Sequence, residues 1–184
     1  MRVSSLKTLL VVALQLTFCT AARAQSPAFS EETIDGKVYE VERAEIKASP
    51  EKIFSILTDY KDARQLFDNL KSCRVLESHD NHDGLAVERN VAFSLAGIAR
   101  IYNFNYVLSL KETFPSQIEW HRLSGAFKTN DGFWRIEPAQ DGESKVTFAK
   151  SIDGGFLPQT FVNAELKQTM PKVMGNLKLL AEKQ

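Results

Sequence analysis

From Ser72 onward, apolar and polar residues alternate with a period of two through runs at about 72 to 78, 85 to 95, 99 to 111, 116 to 123 and 127 to 137, and again at 144 to 152. That period is the signature of a strand with one buried face. Turn-forming residues punctuate the runs, as in His79-Asp80-Asn81-His82-Asp83-Gly84, Asn130-Asp131-Gly132 and Gln140-Asp141-Gly142. Connections this short predict an antiparallel meander. Ahead of it, a strand is expected at about Lys37 to Lys47, then a helix in which Ser49 caps, Pro50 takes the first position and Ile53, Phe54, Ile56 and Leu57 form the apolar face. A second short helix is expected over about Asp62 to Leu70. The chain closes with a long helix, about Pro158 to Lys183, where Leu166, Met170, Val173, Leu177 and Leu180 recur at helical spacing and Pro171 is expected to kink it or start a new segment. The expected fold is therefore α+β: strand, two helices, six strands, long helix.

In a sheet with one face against a helix, parity tells which side chains point inward. The inward sets are Leu85, Val87, Val91, Phe93 and Leu95; Tyr102, Phe104, Tyr106 and Leu108; Ile118 and Trp120; Trp134 and Ile136; Val146, Phe148 and Ile152. Two cations, Arg89 and Lys150, share these faces. A buried unpaired charge is costly, so each must meet a carboxylate such as Glu40 or Glu42, reach solvent, or face a ligand. The aromatics either fill an ordinary core or line a cavity.

The first residues are of another kind. Arg2 and Lys7 precede an uncharged run from Thr8 to Ala22, too short for a membrane span, and Ala22-Arg23-Ala24 is a small-x-small cleavage pattern. Residues 1 to 24 are thus expected to be a signal peptide cut after Ala24, with a periplasmic or secreted product. Residues 25 to 36 are expected to form a loose lead-in, and 37 to 184 the domain. Without its signal the chain carries 20 basic against 23 acidic residues, a net charge of −3, which argues against nucleic acid as a partner. Cys73 is then the one cysteine, so no internal disulfide can form, and it is read as a small buried hydrophobe. His79, Asp80, His82 and Asp83 have metal-ligand chemistry but sit in a turn, and are read as solvated; no metal or cofactor is expected. No nucleophile elbow is present and Cys73 has no histidine partner, so no catalytic set stands out.

Several segments together resemble the START-like helix-grip superfamily, specifically its coenzyme Q-binding and polyketide cyclase-like branch: Ala48-Ser49-Pro50-Glu51-Lys52-Ile53-Phe54 through Leu57-Thr58-Asp59-Tyr60, Val75-Leu76-Glu77, Phe93-Ser94-Leu95-Ala96-Gly97-Ile98, Gly125-Ala126-Phe127, Gly132-Phe133-Trp134-Arg135-Ile136-Glu137-Pro138 and Lys145-Val146-Thr147-Phe148. The resemblance implies a curved antiparallel sheet of about seven strands wrapped round the long C-terminal helix, with a cavity between them for a lipid, quinone, polyketide or other apolar molecule. The residues expected to meet it are Arg89, Phe93, Tyr102, Phe104, Tyr106, Trp120, Trp134, Phe148, Lys150 and Met170. Such a fold hosts carriage, cyclase or dehydrase chemistry and ligand-free interaction alike. For the second, Tyr102, Tyr106 and Arg89 are the candidates. A carrier would make transient membrane contact.

Overall fold

A computed structural model describes residues 28–80, 86–96 and 103–183. In it β1 (Ala28–Ile34) and β2 (Lys37–Ile46) are followed by α1 (Pro50–Leu57) and a single 3-10 turn (Ala63–Gln65). Six strands follow: β3 (Leu70–Asp80), β4 (Ala86–Ala96), β5 (Asn103–Thr113), β6 (Gln117–Gly125), β7 (Thr129–Pro138) and β8 (Ser144–Asp153). The long helix α2 (Gln159–Ala181) ends the fold. The eight strands form one antiparallel sheet in the order β1-β2-β8-β7-β6-β5-β4-β3, curved round α2. This is the helix-grip architecture.

The expected lead-in is in part a strand. Asp35 and Gly36 both have positive φ, the geometry of a tight two-residue hairpin turn, and they fold Ala28–Ile34 back along β2 in register from Ala28 with Arg43 to Ile34 with Lys37. Pairing rather than amphipathic alternation specifies this strand, and Arg43 holds Glu32 across it. The expected helix over 62 to 70 shrinks to the 3-10 turn, because Leu70 pairs with Leu95 as the first residue of β3. A segment that short gains little from helical hydrogen bonds once its end is claimed by a sheet. Asn130-Asp131-Gly132 lies within β7 rather than in a turn. Pro171 does not end α2, which runs continuously through it.

The first helix forms as expected. Ser49 accepts a hydrogen bond from the Lys52 amide at 3.4 Å, Pro50 opens the first turn, and Ile53 and Phe54 are buried. Along α2, Val162, Leu166, Met170, Val173, Met174, Leu177 and Ala181 form the buried stripe. Both ends of the helix are tied to the sheet. Gln159 Nε2 donates to the Ile152 carbonyl at 2.9 Å, Lys178 Nζ to the Glu45 carbonyl at 2.9 Å, and the Lys47 amide donates to Glu182 at 3.0 Å. Asn176 bonds the Leu66 carbonyl at 3.1 Å and so pins the 3-10 turn segment to the helix.

Candidate functional site

Cross-strand register lays the inward side chains out in rows. One row runs Glu31, Glu40, Lys150, Gly132, Trp120, Leu110, Arg89 and Ser78; its neighbour runs Phe29, Glu42, Phe148, Trp134, Ile118 and Glu112. Gly132 is a gap in the first row. A Cβ there would stand 2.2 Å from Trp120 Cζ2 and 2.3 Å from the Ala149 carbonyl oxygen, so the Trp120 indole occupies the space a side chain would take. Trp134 and Phe148 stack beside it with centroids 3.9 Å apart, and Phe148 lies 6.2 Å from Trp120. Further along the sheet, Phe93 stacks on Tyr106 at 5.6 Å, and Phe127 closes on Phe104 and Tyr106 at 5.3 and 5.5 Å.

These rings leave space beneath α2 and beneath the 3-10 turn segment. Two adjoining lobes, of about 100 and 70 Å³, share Phe67, Leu95, Tyr106, Phe148 and Lys150 as walls. The outer lobe reaches α2 and the loop before it, through Leu157, Phe161, Glu165, Thr169 and Met170. The inner lobe lies between the 3-10 turn segment and the sheet, against Tyr60, Leu108, Trp120, Asn130 and Trp134.

Lys150 faces both lobes, and among the described residues its ammonium has no hydrogen-bond or ion-pair partner. Register sets Glu40 opposite it on β2, yet no bond joins the two. Loss of water pulls the lysine down from its ordinary value to about 8. Asn130, fully buried, accepts from Trp120 Nε1 at 3.4 Å. An indole N–H only donates, so the amide oxygen must turn toward it; the Asn130 NH₂, on a side chain that lines the inner lobe, is left without a hydrogen-bond partner among the described residues. Burial drives the Tyr106 hydroxyl well above its ordinary range, so it stays protonated.

Arg89 has a different place. It donates through Nε to both Glu112 oxygens at 3.1 Å and through Nη1 to Ser78 at 2.9 Å, while the Tyr60 hydroxyl donates a hydrogen bond to Glu112. Its charge is satisfied within the protein, and it lines neither lobe. Two other acids stay unpaired among the described residues. Glu42 is fully buried with both oxygens lacking partners, Glu40 has one such oxygen, and burial raises both above the usual carboxylate range.

The model of the family described as polyketide cyclase/dehydrase and lipid transport matches residues 46–176, well over half of the chain. The chain belongs to this polyketide cyclase/dehydrase and lipid transport family. A search of curated proteins found no match. Solved structures repeat the fold at low identity. A START superfamily protein from Mycobacterium smegmatis is 19% identical with TM-score 0.64, covering 78% of this chain and 97% of its own. A STAR-related lipid transfer protein from Xanthomonas axonopodis is 13% identical with TM-score 0.65, over 86% of this chain and 100% of that one. An aromatase/cyclase from Streptomyces is 10% identical with TM-score 0.66, over 78% and 93%.

Within this family fold, Phe93, Phe104, Tyr106, Trp120, Trp134, Phe148, Lys150 and Met170 all line the lobes, whereas Arg89 does not. Tyr102, Leu85, His82 and Asp83 lie outside the described residues. His79, Asp80 and His121 are exposed. Cys73 is half-buried against the core, where burial pushes its thiol up to about 11. Sequence reasoning missed Asn130, Tyr60 and Phe67. Asn130 shares the inward parity of Trp134 and Ile136, so that signal was present; the other two come from irregular segments, which carry no parity.

Proposed function

We propose that this domain is an exported binder or carrier of a hydrophobic small molecule, held between the sheet and α2. The observation that supports it best is the pair of adjoining apolar lobes walled by stacked aromatics, with one unpaired lysine facing both. An ordinary core closes such space at high packing density and keeps cations out of it. A cavity of about 150 Å³ accepts a benzene-sized ring, so the two lobes, of about 100 and 70 Å³, together take about one small ring or a few methylenes. Membership of a family named for cyclisation, dehydration and lipid transport agrees with an apolar ligand. Export rests on the charged, apolar and small-x-small order of residues 1 to 24. A neutral fluorescent naphthylamine should gain emission on mixing with the protein, and Leu95→Trp, which sets a larger side chain at a wall the two lobes share, should cut the gain. Emission unchanged by wild type would refute the reading.

A second reading is catalysis on such a ligand. It draws on Tyr106 and Lys150 lining the same two lobes, one a protonated hydroxyl and the other an amine near 8, a pair suited to donating and accepting protons. Incubating the protein with an unreduced polyketide-like β-diketone and following product by mass spectrometry tests it; Tyr106→Phe should then lower turnover without loss of binding.

A further inference from the structure

The polar lining of the inner lobe is one-sided. Lys150 brings an ammonium, Asn130 an NH₂ whose oxygen is already turned to Trp120, and Tyr106 a protonated hydroxyl. Tyr60 also lines this lobe, but its proton is committed to Glu112. No carboxylate among the described residues lines the inner lobe, and Glu165 of α2 is the one that lines the outer.

We infer that the inner lobe recognises an oxyanion head, a carboxylate above all, and that the ligand is an amphiphilic acid bound head inward with its apolar part in the outer lobe. This rests on the reading that the cavity takes an apolar molecule, and adds its polarity and direction. An ionised head supplies the partner that the Lys150 ammonium lacks, and charge-assisted bonds of this kind are about twice as strong as neutral ones. A cationic head would be repelled by Lys150 and left with Glu165 at the outer lobe. A neutral head of the same size would keep the apolar contacts and forgo the ion pair. Gly132, which lies between Lys150 and Trp120 in the sheet, lets the Trp120 indole occupy the space next to Lys150, so one wall beside the head is aromatic carbon.

The test compares octanoate, octan-1-ol and octylammonium by titration calorimetry on the full mature protein, alongside the neutral naphthylamine probe. Octanoate is expected to bind at least tenfold more tightly than octan-1-ol, and octylammonium more weakly than both. In Lys150→Met the octanoate advantage should vanish while the neutral probe still binds, which also shows that the variant has folded. Asn130→Asp, which places a carboxylate in the lobe, should weaken octanoate and not octan-1-ol. Equal affinity of the three chains for wild type would overturn the oxyanion head and leave the apolar cavity standing. No binding of any chain or of the probe would overturn both.

Discussion

Lys150 can be judged by what its replacement does. A fall in pKa from the ordinary lysine value to about 8 corresponds to ~3 kcal/mol against the charged form, so Lys150→Met should raise the stability of the unliganded protein by ~1–3 kcal/mol at pH 7 while weakening an acidic ligand. A lysine kept for the fold would show the reverse in chemical denaturation. The pH dependence follows from the same shift. Above about 8 the folded protein has shed a proton that the unfolded chain still holds, so Lys150 adds stability as pH rises from there toward the ordinary lysine value. Over the same range the affinity for an anion should fall, because the ammonium that pairs it is lost; Tyr60, Tyr106 and Glu165 lining the lobes and Glu40 across from Lys150, the other titratable groups here, are all acids and gain no positive charge. Glu42 acts in the opposite sense. Its carboxyl is raised by burial, so its stabilisation is complete in acid and is lost as pH climbs through its folded value. Glu42→Met should therefore stabilise by ~1–3 kcal/mol at pH 7, with the gain shrinking toward pH 4 in thermal melts. Lys150 was legible from parity alone, since it falls among Val146, Phe148 and Ile152. Whether Arg89 would be paired was not, because its acid, Glu112, stands one residue past the end the alternation suggested for that strand.

At the scale of elements, the Tyr60, Glu112, Arg89 and Ser78 network joins the segment after α1 to β3, β4 and β5, and so holds one wall of the inner lobe. Removing its centre strands a partly buried arginine and a tyrosine hydroxyl. Glu112→Ala is expected to cost ~2–4 kcal/mol in urea denaturation. The β7 strand depends on a missing side chain: Gly132→Ala forces a methyl into both the Trp120 ring and the Ala149 carbonyl, neither of which can yield freely, and should destabilise by at least ~2 kcal/mol and cut probe binding. Strand β3 to strand β8 and both α-helices could be read from period and capping. The β1 strand could not, since its sequence Ala28 to Ile34 does not alternate, although Asp35-Gly36 carried the hairpin signal. The Asn130-Asp131-Gly132 stretch misled for a physical reason, as turn chemistry there serves ring packing inside a strand.

For the molecule as a whole, α2 laid across a curved sheet buries an apolar stripe from Val162 to Ala181 yet leaves one lobe unfilled beneath its first half, adjoining a second between the 3-10 turn segment and the sheet. Their combined size suits a compact ligand, and a longer one would need the Gly154-Gly155 loop and the first turns of α2 to shift outward. Leu157 and the partly exposed Phe161 border that route, with Phe156 79% exposed beside them. The architecture followed from the order of elements, while the division of the space into a donor-lined inner lobe and an acid-bearing outer one depends on Asn130 and Glu165, whose roles no pattern along the chain reveals. The most direct test of the central claim is native mass spectrometry of the protein purified from its own host, followed by denaturing extraction. The account predicts a stoichiometric apolar molecule bearing an acidic group; a clean unliganded mass, unchanged after incubation with octanoate, would contradict it.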